Sequence, residues 1–385
     1  MVDDNLRHHL GIRPGKFIHP AKYQGSGATV HRPGKPQKGL TLITSMWQNT
    51  NGIDLIDLNG VLVHKWRVSL NNIFPEAKLL PIPLKDWDTL IQGVLPYPNG
   101  DVIFIFERVG LVKIDKRSNV LWKLAHPTHH SIHEDKEGNL WIPGREVHLQ
   151  AVDRLPFFKP PIVEELLLKI SPDGKILRQI SILNIFIKSG LEALFFMNTG
   201  WTLTNRIYDF THINDIEILD ETMAPQFPLF NAGDIMVSMR NLNLIVIIDS
   251  VTEKIKWWMT GPFHRQHDPD FLPNGRIAVF DNRSDEAEGT ILGGSRILSI
   301  DPVSRKIDII YQSSPKNYFY TEIMGKHQFL PNGNILITES LAGRIFEINS
   351  QGEIVWSYIN WYDEDEVFRI TEGIRLNENF GNFAK

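Results

Sequence analysis

The sequence predicts an all-β fold, a six-bladed β-propeller with four-stranded blades and an irregular N-terminal arm, and two repeated patterns carry the prediction. The first is an apolar strand ending in Ile plus Asp, Ser or Asn, then a polar turn, then a second strand often closed by an aromatic residue. It occurs at Ile56-Asp57, Ile114-Asp115, Ile170-Ser171, Ile248-Asp249, Ile300-Asp301 and Ile348-Asn349. Each copy reads as an antiparallel hairpin, because Asp, Asn, Ser and Gly supply turn conformations while β-branched and aromatic residues alternate on the flanks. The second pattern is another Gly-bearing hairpin ahead of most copies: LPYPNGDVIFIF from Leu95, HEDKEGNLWI from His133, NAGDIMVS from Asn231, LPNGRIAVF from Leu272 and LPNGNILITES from Leu330. Two hairpins make a four-stranded blade. Six repeats fit radial blades better than a sandwich, which rarely repeats one motif so often.

The elements follow in order. Residues 1–38, rich in Gly, Pro and Lys, read as the arm, and the propeller is expected over 39–385. The first unit, opening at GLTLITS from Gly39, has no Gly-bearing hairpin ahead of it, so Glu366 to Leu376 is expected to supply the missing strand and close the ring. An insertion at about 181–230 (ILNIFIKSGLEALFFMNTGW and a Pro-bearing loop) interrupts the rhythm between the third and fourth units; a helical lid and plain packing both suit it.

Register then singles out histidines. His130 lies eight residues before Gly138, His267 eight before Gly275, and Gln92 holds the same slot before Gly100. His327 precedes Gly333 by six, and His212 opens the corresponding strand of the insertion-bearing unit (THINDIEIL). First strands line a propeller's channel, so residues opening successive first strands converge on one mouth of it. A single histidine is more often a structural residue, but four at equivalent positions read as a site. Strand alternation lets only one of His129 and His130 face inward, and the register favours His130. Asn214 shares a face with His212, and Arg240 and Arg296 end or begin neighbouring strands. Guanidinium forks beside imidazoles suit an oxyanion such as sulfate or phosphate.

Composition narrows the function class. A net charge of −5 without a basic run gives no footprint for nucleic acid. With no cysteine there is no disulfide, thiolate nucleophile or zinc-thiolate site. The start MVDDNLRHHLGIRPGKF lacks the apolar stretch of a signal peptide, and no later segment is apolar and long enough to span a membrane, so no membrane span is expected. Neither compartment nor oligomeric state follows from these features.

The motifs HHSIHEDKEGNLWI at His129, HINDIEIL at His212, GDIMVSMRNL around Arg240, QHDPDFLPNGRIAVFDN at Gln266, SRILSIDP at Ser295 and HQFLPNGNILITES with AGRIFEI at His327 resemble the aryl-sulfate sulfotransferase family, in its shorter single-propeller branch. The resemblance spans roughly residues 40–360. It implies a nucleotide-independent enzyme without a cofactor, acting on small molecules: an aryl sulfate donor sulfurylates a channel histidine, which passes the group to a phenol. Matching motifs imply that His267 is the nucleophile, with His130 and His212 as further catalytic residues. Asn214, Arg240, Arg296, His327 and His129 would contact the substrate. It also implies a cell-envelope or periplasmic setting.

Sulfuryl transfer, like phosphoryl transfer, passes through a loose transition state with charge on peripheral oxygens, so positioning and fixed positive donors matter most. A neutral imidazole is a capable nucleophile, and a sulfohistidine predicts ping-pong kinetics. His212 is the expected proton carrier for the phenol oxygens. Asp268 orients the nucleophile only if the backbone permits. The sequence departs from the family pattern at Ser131, where a carboxylate often follows the His-His pair, at Asp215, which replaces a small hydroxyl residue, and at His327, an added imidazole. Two other readings stand beside this one: four histidines holding a divalent metal on the propeller axis, and a non-enzymatic binding scaffold.

Overall fold

The computed structural model describes residues 15–47, 50–79, 84–153, 160–197 and 209–384. The first fourteen residues of the arm and residues 198–208 of the insertion lie outside the described residues. Six antiparallel sheets form a six-bladed β-propeller. Blade 1 consists of Ile370–Leu376, Leu40–Trp47, Thr50–Ile56 and Leu62–Arg67. Blade 2 is built from Ile91–Pro96, Val102–Phe106, Gly110–Ile114 and Val120–Leu124, and blade 3 from His133–Glu134, Leu140–His148, Ile162–Ile170 and Ile176–Ser181. Ile213–Ile218, Ile235–Met239, Leu244–Asp249 and Lys254–Thr260 make blade 4; His267–Phe271, Ile277–Asp281, Arg296–Ile300 and Ile307–Gln312 make blade 5. Blade 6 contains Lys326–Phe329, Ile335–Glu339, Arg344–Ile348 and Ile354–Ile359.

The repeated Ile-Asp motif has a local cause. In each copy the isoleucine is buried, while the next side chain folds back over the turn and accepts backbone N–H groups that the hairpin leaves unpaired. Asp57 Oδ1 accepts from Asn59 and Val61 at 2.8 Å each, and Asp115 Oδ1 does the same for Arg117 and Asn119. Asp249, Asp301 and Asn349 cap their turns likewise, and Ser171 Oγ accepts from Lys175 N. Asp, Ser and Asn alternate at this position because each is a short side chain with an acceptor oxygen. Gly275 shows why the other hairpin needs glycine: it sits at φ +76°, and a Cβ there would lie 2.3 Å from the Gln226 carbonyl.

The chain falls into two compact units. One holds blades 6, 1 and 2, with the arm and the C-terminus. Its largest core packs Leu42, Ile53, Trp66, Phe74, Phe104, Phe106 and Val112. Ile370–Leu376 pairs antiparallel with Leu40–Trp47, as expected from the missing hairpin, so blade 1 draws strands from both ends of the chain. The arm carries two short strands that its composition does not announce. Ile18–Pro20 pairs with Glu366–Phe368, and Gly27–His31 adds a fifth strand to blade 6 beside Ile354–Ile359.

The other unit holds blades 3, 4 and 5. The insertion contributes a helix, Ile182–Ser189, capped by the Ser181 side chain at its start and by Gly190 in the left-handed region at its end. It buries Ile182, Leu183, Ile185 and Phe186 in the core shared with blades 3 and 4, so its described part packs as a core element.

Candidate functional site

The unit of blades 3 to 5 gathers most of the residues that register singled out. Ahead of blade 3, residues 127–129 run alongside strand Leu140–His148: His129 N donates to Pro143 O at 3.1 Å, and Arg145 N donates to Pro127 O at 3.0 Å. His129 is fully buried, and His130 follows at φ +63°. That left-handed residue breaks strand alternation, so both imidazoles of the pair turn toward each other, Nδ1 to Nδ1 at 2.8 Å. The expectation that only one ring faces inward assumed extended backbone, and the backbone is not extended here.

His212 precedes strand Ile213–Ile218 at φ +50°, and its carbonyl accepts from Arg240 N at 3.0 Å, which seats Arg240 beside it. Its ring lies edge-on to His130, centroids 4.9 Å apart. A bulge between Ile213 and Asp215 frees Asn214 from the ladder, and Asn214 Nδ2 donates to Gln266 O at 2.7 Å. Gln266 spans blade 4 by donating from Nε2 to Ser238 Oγ, Met239 O and Leu244 O. These contacts fix the residue that precedes His267.

His267 opens the first strand of blade 5. Its Nδ1 lies 2.7 Å from Asn282 Oδ1 and 3.1 Å from Arg265 O. A backbone carbonyl only accepts, so the proton of the neutral ring sits on Nδ1 and the lone pair on Nε2. Asn282 orients this ring, and Asp268 stands at φ +51°. Ser295 Oγ in turn donates to Asn282 O.

Four of these positions, His130, His212, Arg265 and Asp268, hold left-handed, non-glycine backbone, at a cost of about 1–3 kcal/mol each, which persists where packing over-determines a functional geometry. Electrostatics points the same way. Burial, then the Arg240 guanidinium, lowers His267 to about 3 and His212 to about 4. His130 is pushed well below the usual histidine range by burial and then by His212, His129, His267 and Arg145. Burial alone would raise Asp209, but His212 and Arg145 outweigh it and hold the carboxyl well below its ordinary range. The Asp209–His212 contact, Oδ2 to Nδ1 at 2.6 Å, therefore pairs a carboxylate with a neutral imidazole that donates from Nδ1. Buried His212 Nε2 has no hydrogen-bond partner.

Arg296 gives its guanidinium to Asp281 Oδ2 at 2.7 Å and Pro262 O at 2.8 Å, a framework contact next to Asn282. His327 lies buried in blade 6, with its ring edge-on to Phe329. Ser131, at the first departure from the family pattern, accepts from Ile216 N and so ties blade 3 to blade 4. As for metals, Glu146, His148 and Glu164 bring ligand atoms within 4.8 Å of one another, whereas among the described residues His130, His212 and His267 do not form such a group.

Sequence reasoning missed Asp209, Glu165, Arg145 and Asn282. Two signals were present: Glu164-Glu165 interrupts an otherwise apolar strand, and Asp209 stands three residues before His212.

No curated protein matches the chain. Among solved structures, a protein of unknown function from Bacteroides caccae is similar at 14% identity, with 87% of this chain and 100% of that one covered and a TM-score of 0.53. Virginiamycin B lyase from Staphylococcus aureus aligns at 13% identity over 92% of this chain and 98% of that one, with a TM-score of 0.46. The first likeness shows the fold alone. The profile of the arylsulfotransferase (ASST) family matches residues 94–361, which spans blades 2 to 6 and every histidine of the site. The chain belongs to the arylsulfotransferase family.

Proposed function

We propose that the protein is a nucleotide-independent aryl-sulfate sulfotransferase that works through a sulfohistidine at His267. The observation that supports this reading is the tautomer of that ring: Nδ1 meets two oxygens, one of them a backbone carbonyl that only accepts, so Nδ1 carries the proton and the lone pair is on Nε2, in a buried site beside Arg240 and His212.

In the first half-reaction the Nε2 lone pair attacks sulfur, the S–O(aryl) bond breaks, and the phenolate leaves with the electron pair. The sulfurylated ring carries positive charge, which Asn282 Oδ1 and Arg265 O stabilise through Nδ1–H. Arg240 supplies fixed positive charge to the sulfuryl oxygens, and Asn214 fills the space beside them. In the second half-reaction His212 Nε2 takes the proton of the acceptor phenol, whose oxygen attacks sulfur while the S–N bond returns its pair to His267. The proton now on His212, stabilised by Asp209, passes to the next departing phenolate, so the cycle balances. His130, packed edge-on against His212, shapes the wall of the site. Arg296 supports Asp281 and hence the Asn282 turn.

The test is intact-mass measurement after incubation with a chromogenic aryl sulfate, without nucleotide. A sulfuryl adduct is expected in the wild type and absent in His267→Ala. No adduct and no turnover across several aryl sulfates would sink the reading.

A further inference from the structure

Behind the histidines lies a closed, buried circuit. Arg145 donates from Nε to Glu165 Oε1 at 2.9 Å, and its Nη2 lies 2.8 Å from that oxygen and 2.9 Å from Asp209 Oδ1. The far oxygen of each carboxylate faces a histidine: Glu165 Oε2 is 2.9 Å from His129 Nε2, and Asp209 Oδ2 is 2.6 Å from His212 Nδ1. His129 contacts His130, and His130 packs on His212, which completes the loop. Arg145 and Glu165 are directly opposed across neighbouring strands of blade 3, so the sheet itself sets their distance.

The circuit holds one permanent cation and two carboxylates. Desolvated carboxylates persist as anions only when paired and hydrogen-bonded; otherwise they draw a proton from the nearest base. The nearest bases are the imidazoles of His129 and His212. Around His212 the other charged or titratable groups are Arg240, His130 and His267, none of them anionic.

We propose that Arg145 is a positioning residue: by pairing with one oxygen of each buried carboxylate at once it keeps the proton off His212, so that His212 presents a bare Nε2 to the incoming hydroxyl. Arg145 touches no reacting atom. It acts by setting where the protons sit, and its role in turnover rests on the sulfotransferase reading above.

The experiment records nitrogen-15 spectra of the histidine rings between pH 8 and 5 in wild type, Arg145→Met and Arg145→Lys. In the same proteins the single-turnover transfer of sulfuryl from preloaded protein to phenol is followed against pH. Wild type is expected to keep a neutral His212 ring across the range. Arg145→Met is expected to show imidazolium signals at pH 7 and to lose phenol transfer at that pH by tenfold or more. Arg145→Lys keeps the charge but loses the fork, so it is expected to move the acid limb of transfer upward by about one pH unit, and it serves if the Met variant does not fold. A folded Met variant with neutral rings, or a Lys variant with a wild-type acid limb, overturns the proposal. If wild type forms no adduct, the sulfotransferase reading fails while the ring spectra still decide the role of Arg145.

Discussion

In the proposed mechanism, His267 is a nucleophile that acid does not silence. Its lowered value, about 3, leaves it unprotonated throughout the range in which a solvent-exposed histidine near 6.5 would gain a proton. The sign follows directly: lowering the pH from 7 to 5 protonates only about one ring in a hundred, by the tenfold change per unit. Rapid-quench measurement of sulfuryl uptake is therefore expected to be flat between pH 7 and 5, and a limb centred near 6.5 would contradict it. Asn282→Ala removes the nearer acceptor on Nδ1, leaves the Arg265 carbonyl at 3.1 Å and loosens the ring, so uptake is expected to slow by about 10²-fold with little change in donor affinity. Arg240→Ala removes the fixed cation that the proposed mechanism sets on the sulfuryl oxygens. Mutation of a comparable oxyanion donor costs about 10²–10³ in kcat, and steady-state rates with the chromogenic donor check that scale here.

At the scale of elements, bulges and left-handed residues aim the side chains that regular strands would alternate away. The register shifts beside His267 and Asn214 sit in the first strands of blades 5 and 4, where the ladder gives up a pair and re-aims a side chain. The helix Ile182–Ser189 holds the outer side of the same unit. Phe186 is fully buried and packs on Phe195, ring centroids 4.5 Å apart, in the core that also contains Ile213. Phe186→Ala is expected to destabilise the protein by about 3–5 kcal/mol in denaturant unfolding. A cost under about 1 kcal/mol would mean that the helix is a loosely held lid after all. Alternation failed as a guide at His129 and His130 for the same local reason that the site exists: one residue at φ +63° brings both rings to one side.

For the whole molecule, the joining of chain ends in blade 1 is the feature with the largest consequence. Leu40–Trp47 has Ile370–Leu376 on one side and Thr50–Ile56 on the other, so removing residues 370–385 exposes a row of backbone N–H and C=O groups beside the buried Leu42 and Ile43. Such a truncation is expected to aggregate, or to lose hydrogen-exchange protection across Leu40–Trp47. A truncated protein with wild-type melting and protection would show that the strand is dispensable.

Much of this was legible in the sequence, and the limits of legibility are physical. The Ile-Asp turns, the Gly-bearing hairpins and hence six blades are local: a turn residue and its strand lie within ten positions of each other, and the side chain that specifies the turn also caps it. The histidine register follows from those repeats, so the sequence by itself determined the fold, the family and the four blades that carry a histidine at the first strand. The sequence left open which neighbours set the charge on each ring. Asp209, Glu165, Arg145 and Asn282 meet their histidines across strands and blades, and the direction of each side chain depends on bulges and left-handed residues that no periodic pattern encodes. Only the tertiary structure decided that Arg145 joins two carboxylates and that Asn282 holds His267, because desolvation and hydrogen bonding act between residues that folding alone brings together.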